Sequence, residues 1–145
     1  MSSDKEPAWR VGTQAYTFNR FTFFEAVDKA QSIGLKYIEA YPGQRLSPGL
    51  GSAKFDHDMA ADLRQTTKTK LAEAGIKLVN YGVVGLGKDE ASARKVFEFA
   101  KDMGIETIVS EPEPGTFEML DKLTQEYGIN VAIHNHPKPS RYWNP

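Results

Sequence analysis

The chain has 145 residues, of which 40% are hydrophobic and 26% charged, and its formal net charge is −1. This is enough for one domain with a real core, and with no dense basic run to neutralise phosphates it argues against a nucleic-acid partner. The absence of cysteine excludes disulfides and thiolate zinc sites, so any metal must be held by His, Asp or Glu, and no apolar run approaches the ~18–20 residues of a membrane span.

Residues 1–9 are polar and lack the apolar centre of a signal peptide, so they read as a disordered leader. That gives a cytoplasmic location by default; export is the alternative, if a signal sequence was removed ahead of residue 1. Residues 11–16 (Val11, Gly12, Thr13, Gln14, Ala15, Tyr16) read as an opening strand. Thr22 and Glu25 have capping-box spacing, in which hydroxyl and carboxylate each satisfy a free N–H at a helix start.

One pattern then recurs four times: a helical run, a glycine, an apolar residue and a strand. The glycines are Gly34, Gly75, Gly104 and Gly128, followed by Leu35, Ile76, Ile105 and Ile129. Glycine just past a helix end takes the left-handed conformation that other residues adopt at a cost. Residues 42–53, rich in Gly, Pro and Ser, read as a loop, and a helix is expected over 56–74. A further helix is expected over 89–103, where Ala93, Val96, Phe97 and Ala100 share one face. Pro112 and Pro114 break the chain, Thr116 is the expected cap of the last helix, and Phe117, Leu120, Thr124 and Tyr127 line that helix. The last strand, from Asn130, ends in His134, Asn135 and His136.

The order is β-α-β-α-β-α-β-α-β, which implies parallel strands with right-handed crossovers. The competing architectures are a doubly wound sheet and part of a (β/α)8 barrel. By strict alternation, Gly12, Gln14 and Tyr16 share a face, as do Tyr37, Glu39 and Tyr41; Leu78, Asn80 and Gly82; Thr107, Val109 and Glu111; and Ala132, His134 and His136. Each strand has one face that turns polar toward its C-terminal end. A doubly wound sheet, covered on both sides, tends to apolar strands, whereas a barrel has its active site at that mouth. The expected fold class is therefore α/β, a partial TIM (β/α)8 barrel of about five parallel strands and four helices. Residues 10–137 form the half-barrel, and 138–145 form a tail read as a truncation point. A complete barrel takes ~250 residues. The chain is thus expected to be a fragment of a longer protein, or a half-barrel whose open edges pair with another chain or a second copy.

Gln14, Tyr16, Glu39, Asn80, Glu111, His134 and His136 come from five predicted strands and converge on one mouth. Glu111 and His134 would end adjacent strands, close enough to share a divalent metal or to act as acid and base. Two other motifs carry less. His134-Asn135-His136 is not the ββα-metal arrangement of HNH nucleases. The glycine-rich 82–88 segment resembles a P-loop, but Asp89 stands where Ser or Thr is needed and puts a negative charge where phosphates would lie. Asp89 is instead a good helix N-cap, and His57, between Asp56 and Asp58, is expected at a solvated helix start.

These residues resemble the sugar phosphate isomerase/epimerase group of xylose-isomerase-like TIM barrels, from Val11-Gly12-Thr13-Gln14-Ala15-Tyr16-Thr17-Phe18 to Val131-Ala132-Ile133-His134-Asn135-His136-Pro137. The resemblance covers the first half of that barrel. It implies a divalent metal (Mn, Zn or Mg) and a small-molecule sugar or polyol substrate, with no nucleic acid or membrane partner. It also implies proton transfer next to a carbonyl, or dehydration in related lyases. Where many members carry a ligand glutamate at the end of the fifth strand, this chain has His134, with Glu111 one strand earlier. The expected roles are Glu111 as catalytic residue and metal ligand and His134 as ligand, in a set incomplete within this chain. Gln14, Tyr16, Glu39, Asn80 and His136 would bind substrate. A non-catalytic half-barrel that assembles with another chain is the alternative.

Overall fold

A computed structural model describes residues 9–143. The leader expected at 1–9 lies outside the described residues except for Trp9, as do Asn144 and Pro145 of the tail. The strands are β1 (Gly12–Gln14), β2 (Tyr37–Ala40), β3 (Lys77–Tyr81), β4 (Thr107–Ser110) and β5 (Asn130–Ile133). The helices are α1 (Phe23–Ser32), α2 (Ala61–Ala74), α3 (Glu90–Met103) and α4 (Phe117–Tyr127). All strands are parallel and pair in the order β1-β2-β3-β4-β5. A doubly wound sheet reverses its strand order at a switch point, and this one does not. Consecutive pairing with right-handed crossovers puts every helix on one face, which is half of a (β/α)8 barrel.

The helix ends follow local chemistry. The Thr22 hydroxyl accepts from the Glu25 N–H at 3.4 Å while the Glu25 carboxylate accepts from the Thr22 N–H at 2.8 Å, completing the capping box. Asp89 accepts from the Ser92 N–H at 2.9 Å, and Gly75, Gly104 and Gly128 close α2, α3 and α4 with positive φ. The opening strand and two helix starts differ from expectation: β1 ends at Gln14 rather than Tyr16, because Ala15–Phe18 form a 3-10 turn. α2 starts at Ala61 rather than residue 56, because the chain first makes a turn in which the Met59 N–H donates to the Asp56 carbonyl, burying Phe55 and Met59. Thr116 does not cap α4: it sits in helical conformation and its hydroxyl donates back to the Glu113 carbonyl at 2.7 Å.

The core lies between sheet and helices. Ile38, Leu78 and Ile108 from the sheet meet Val27, Val96, Phe97 and Leu123 from the helices. At its centre Phe55 lies 4.7 Å from Phe23, 5.7 Å from Tyr81 and 5.8 Å from Phe99, centroid to centroid. Such tilted and edge-on pairs add to the area they bury.

β3 departs from strict alternation. Ile38 pairs with Leu78 but Glu39 pairs with Asn80, so Val79 is an extra residue in the ladder. This bulge turns both Leu78 and Tyr81 toward the helices and leaves Val79 and Asn80 on the other face. Leu78 therefore does not share a face with Asn80, as a period of two had required.

At the N-terminal end of the sheet, Glu106 ties three strands together. Arg10 donates two hydrogen bonds to its carboxylate, at 3.1 and 2.8 Å, and Lys77 donates one at 2.5 Å. These cations, against a smaller opposing effect of burial, hold the Glu106 carboxyl down at about 2. A carboxyl depressed below its ordinary 4.5 contributes stability that is complete above that value and lost as pH falls toward 2. Glu106→Gln should therefore lower the urea midpoint at pH 7 and flatten its decline between pH 4.5 and 2, as followed by circular dichroism.

Candidate active site at the C-terminal end of the sheet

The uncovered face of the sheet carries a polar chain across its first three strands. The Gln14 amide nitrogen donates to Glu39 at 3.2 Å and to the Gly82 carbonyl at 2.9 Å, and its carbonyl accepts from the Tyr16 N–H at 2.6 Å. Asn80 donates to the other Glu39 oxygen at 3.1 Å. Glu39 and Asn80 thus lie in the sheet, while Tyr16 rises above it on a 3-10 turn (Ala15–Phe18) whose N-cap is Gln14. The Tyr16 ring, in a residue 60% exposed, packs edge-on against Tyr41 at 5.1 Å. Burial, then the neighbouring Tyr16, pushes the Tyr41 phenol up.

Gly82 leads from β3 into the glycine-rich loop. A Cβ there would meet the Val109 carbonyl oxygen at 2.3 Å and the Val109 Cβ at 2.5 Å, so only glycine lets the chain cross the end of β4. The loop is pinned by the Val84 N–H on the Val109 carbonyl and by the Ser110 hydroxyl donating to the Val84 carbonyl at 2.7 Å. At the start of α3 the Asp89 carboxylate takes the Ser92 N–H and hydroxyl, occupying the place a phosphate would need.

On the far side stand Glu111, His134 and His136. The His134 N–H donates to the Ser110 carbonyl at 2.9 Å, so the β4–β5 ladder itself delivers this histidine. The two imidazoles meet edge-on at 4.5 Å. His136 Nδ1 contacts Glu111 Oε1 directly, and Ser140 donates to Glu111 Oε2 at 3.3 Å. The tail then folds back over the loop after β4: Arg141 pairs with Glu113, Tyr142 donates to the Pro112 carbonyl at 2.5 Å, and the His136 N–H reaches the Tyr142 carbonyl. The Arg141 guanidinium holds the Glu113 carboxyl below its usual range.

Between these two sides lies a cavity of about 550 Å³ lined by Gln14, Tyr16, Thr17, Tyr41, Pro42, Gly82, Val83, His134 and His136. The seven sequence-predicted residues thus fall into two groups, Gln14–Tyr16–Glu39–Asn80 and Glu111–His134–His136. Glu111 does not line the cavity; it sits behind His136. Sequence reasoning left out Tyr41, whose place on the Glu39 face was a signal, Tyr142, whose bulk beside Trp143 in the tail was another, and Ser140 and Arg141, for which no signal existed.

Glu111, His134 and His136 each offer one ligand atom, all within 4.8 Å of one another. One carboxylate oxygen and two imidazole nitrogens form a set that suits Zn and its neighbours among the divalent cations. A second cluster, Asp56, His57 and Asp58, lies on the helical side of the sheet. His57 is not at a solvated helix start: its Nδ1 lies 3.1 Å from the hydroxyl of Tyr81, whose phenol is pushed up by burial, and 3.2 Å from Asp56. Its place is explained by satisfying that buried hydroxyl.

No family model matches the chain, and no curated protein matches it. Solved structures do. An uncharacterised protein from Parabacteroides distasonis is 32% identical, with a TM-score of 0.82 over 89% of this chain and 54% of that one. A sugar phosphate isomerase/epimerase from the same organism is 15% identical, with a TM-score of 0.63 over 93% of this chain and 54% of that one. A xylose isomerase domain containing protein from Salmonella typhimurium is 12% identical, with a TM-score of 0.64 over 87% and 49%. The chain spans about half the length of these proteins. It shares the fold of the sugar phosphate isomerase/epimerase and xylose-isomerase-like TIM barrels, as a half-barrel. Among the described residues no helix is long and apolar enough to cross a membrane.

Because Gly82 has no room for a side chain, Gly82→Ala should cost about 1–3 kcal/mol of stability in urea unfolding. It should also shift the amide resonances of Gln14 and Val84, which bond to this loop.

Proposed function

We propose that this chain forms the N-terminal half of a metal-dependent isomerase or epimerase acting on a sugar, sugar phosphate or polyol by proton transfer next to a carbonyl. The observation that carries the reading is the convergence of Glu111, His134 and His136 beside a cavity walled by Tyr16 and Tyr41, at the end of a parallel sheet where barrel active sites lie. The likeness to barrels described as sugar isomerases and epimerases supports it.

His134, Glu111 and His136 are the residues that would hold a divalent cation, Mn, Zn or Mg. When bound, the cation supplies positive charge that polarises the substrate carbonyl. Glu111, which sits behind His136 and does not line the cavity, accepts the proton through that imidazole. Its contact with His136 gives the proton a second resting place at an imidazole that lines the cavity, and Ser140 keeps its other oxygen hydrogen-bonded. Removing a proton beside the carbonyl and delivering one to the opposite face of the same carbon, from a donor other than Glu111, epimerises the substrate; returning it to the former carbonyl carbon, while the neighbouring hydroxyl passes its proton to the old carbonyl oxygen, isomerises it. The Tyr16 and Tyr41 rings offer apolar faces to sugar C–H groups, and His136 offers a polar edge to hydroxyls.

Replacing both histidines, as His134→Ala with His136→Ala, should weaken Mn or Zn binding at least ~10–100-fold by calorimetry. With an active sugar in hand, Glu111→Gln should lower kcat by roughly 10²–10⁴ and stop exchange of the substrate C–H with solvent deuterium. Full activity after exhaustive chelation would overturn the reading.

A further inference from the structure

We propose that Gln14, Glu39 and Asn80 are positioning residues: they form a relay that locks the Gln14 side chain in the orientation that caps the 3-10 turn and holds the Tyr16 ring against Tyr41. This departs from the sequence expectation that Gln14, Glu39 and Asn80 contact substrate. Its bearing on catalysis rests on the isomerase reading; the relay itself does not.

The amide of Gln14 has one orientation that satisfies its surroundings. Its nitrogen faces the Gly82 carbonyl at 2.9 Å and Glu39 at 3.2 Å, which as a carbonyl and an ionised carboxylate can only accept. Its oxygen faces the Tyr16 N–H at 2.6 Å, which can only donate. Both amide hydrogens are committed, so Gln14 has no N–H left for a ligand. Glu39 in turn receives Asn80 at 3.1 Å on its other oxygen, which keeps the carboxylate turned between two amide donors. The chain of contacts runs from β3 through β2 to β1 and ends on the backbone N–H of Tyr16, whose ring is an aromatic wall of the cavity. Gln14 caps that turn from inside the sheet, so the position of Tyr16 depends on Glu39 and Asn80, which do not line the cavity.

The relay predicts an asymmetry that a carboxylate acting on substrate would not show. Glu39→Gln keeps one acceptor, and Asn80 can turn its own carbonyl toward the new amide, so the chain re-forms. Glu39→Ala cannot re-form it. Amide exchange measured by NMR on the 145-residue chain reads this directly. Gln14→Leu should raise exchange at the Tyr16 N–H about five- to tenfold, the loss expected for a removed N-cap. It should also abolish the ring-to-ring cross-relaxation between Tyr16 and Tyr41, while the core amide of Ile38 stays protected. Glu39→Ala should raise Tyr16 exchange in the same sense, and Glu39→Gln should leave it within about twofold of the parent. Unchanged Tyr16 exchange in Gln14→Leu, or equal effects of Glu39→Gln and Glu39→Ala, would overturn the proposal. Since these readouts need no substrate, they stand or fall separately from the isomerase reading. On an active protein, Gln14→Leu should raise KM severalfold more than it lowers kcat.

Discussion

Helices cover only one face of this sheet, and the placement of the sheet's polar side chains depends on that constraint. The covered face is filled with aliphatic and aromatic side chains down to zero exposure at Ile38, Tyr81 and Ile108. The uncovered face has no helix to pack against, so its side chains must satisfy one another or meet solvent. They do so in tiers. At the N-terminal end Glu106 gathers Arg10 and Lys77. Midway, Glu39 gathers Gln14 and Asn80. At the C-terminal end stand Glu111 and the two histidines. Each tier joins two or more strands through a carboxylate, the acceptor best suited to several donors at once.

The bulge at Val79 is what lets the covered and uncovered faces coexist in β3. Without it, Asn80 and Leu78 would share a face, and either the core would receive an amide or the polar chain would lose its third strand. The extra residue allows Tyr81 to enter the aromatic core while Asn80 stays with Glu39. The buried Tyr81 hydroxyl then needs a partner, and His57 supplies it from the loop ahead of α2. A histidine that reads in the sequence as a solvated helix start is thus drawn in by a one-residue irregularity elsewhere.

The two halves of the candidate site are built differently. Gln14, Glu39 and Asn80 are fixed by the sheet, through contacts between the paired strands β1, β2 and β3. Glu111 and His136 lie just beyond the strands and are held by the returning tail, through Ser140, Arg141 and Tyr142. The site therefore joins a rigid wall to one set by loop contacts, an arrangement common where binding residues sit on loops over a fixed scaffold.

Much of the fold was legible in the amino-acid order, because it is written in local chemistry. Four glycine-then-apolar junctions, the Thr22–Glu25 box and the Asp89 cap mark helix ends through contacts only a few residues apart. The polar C-terminal ends of the strands foretold a barrel-like mouth; Tyr16, Glu111, His134 and His136 stand at that end, while Gln14, Glu39 and Asn80 bond to one another midway along the uncovered face. Tertiary structure decided what those residues touch. The Val79 bulge depends on the register of a partner strand, the Ser140–Glu111 contact spans a chain reversal with no local signature, and the commitment of Gln14 depends on Gly82, reached only when β1 and β3 lie on either side of β2. A period-two pattern determines which face a side chain prefers; only the packed sheet determines which neighbour already occupies its hydrogen bonds.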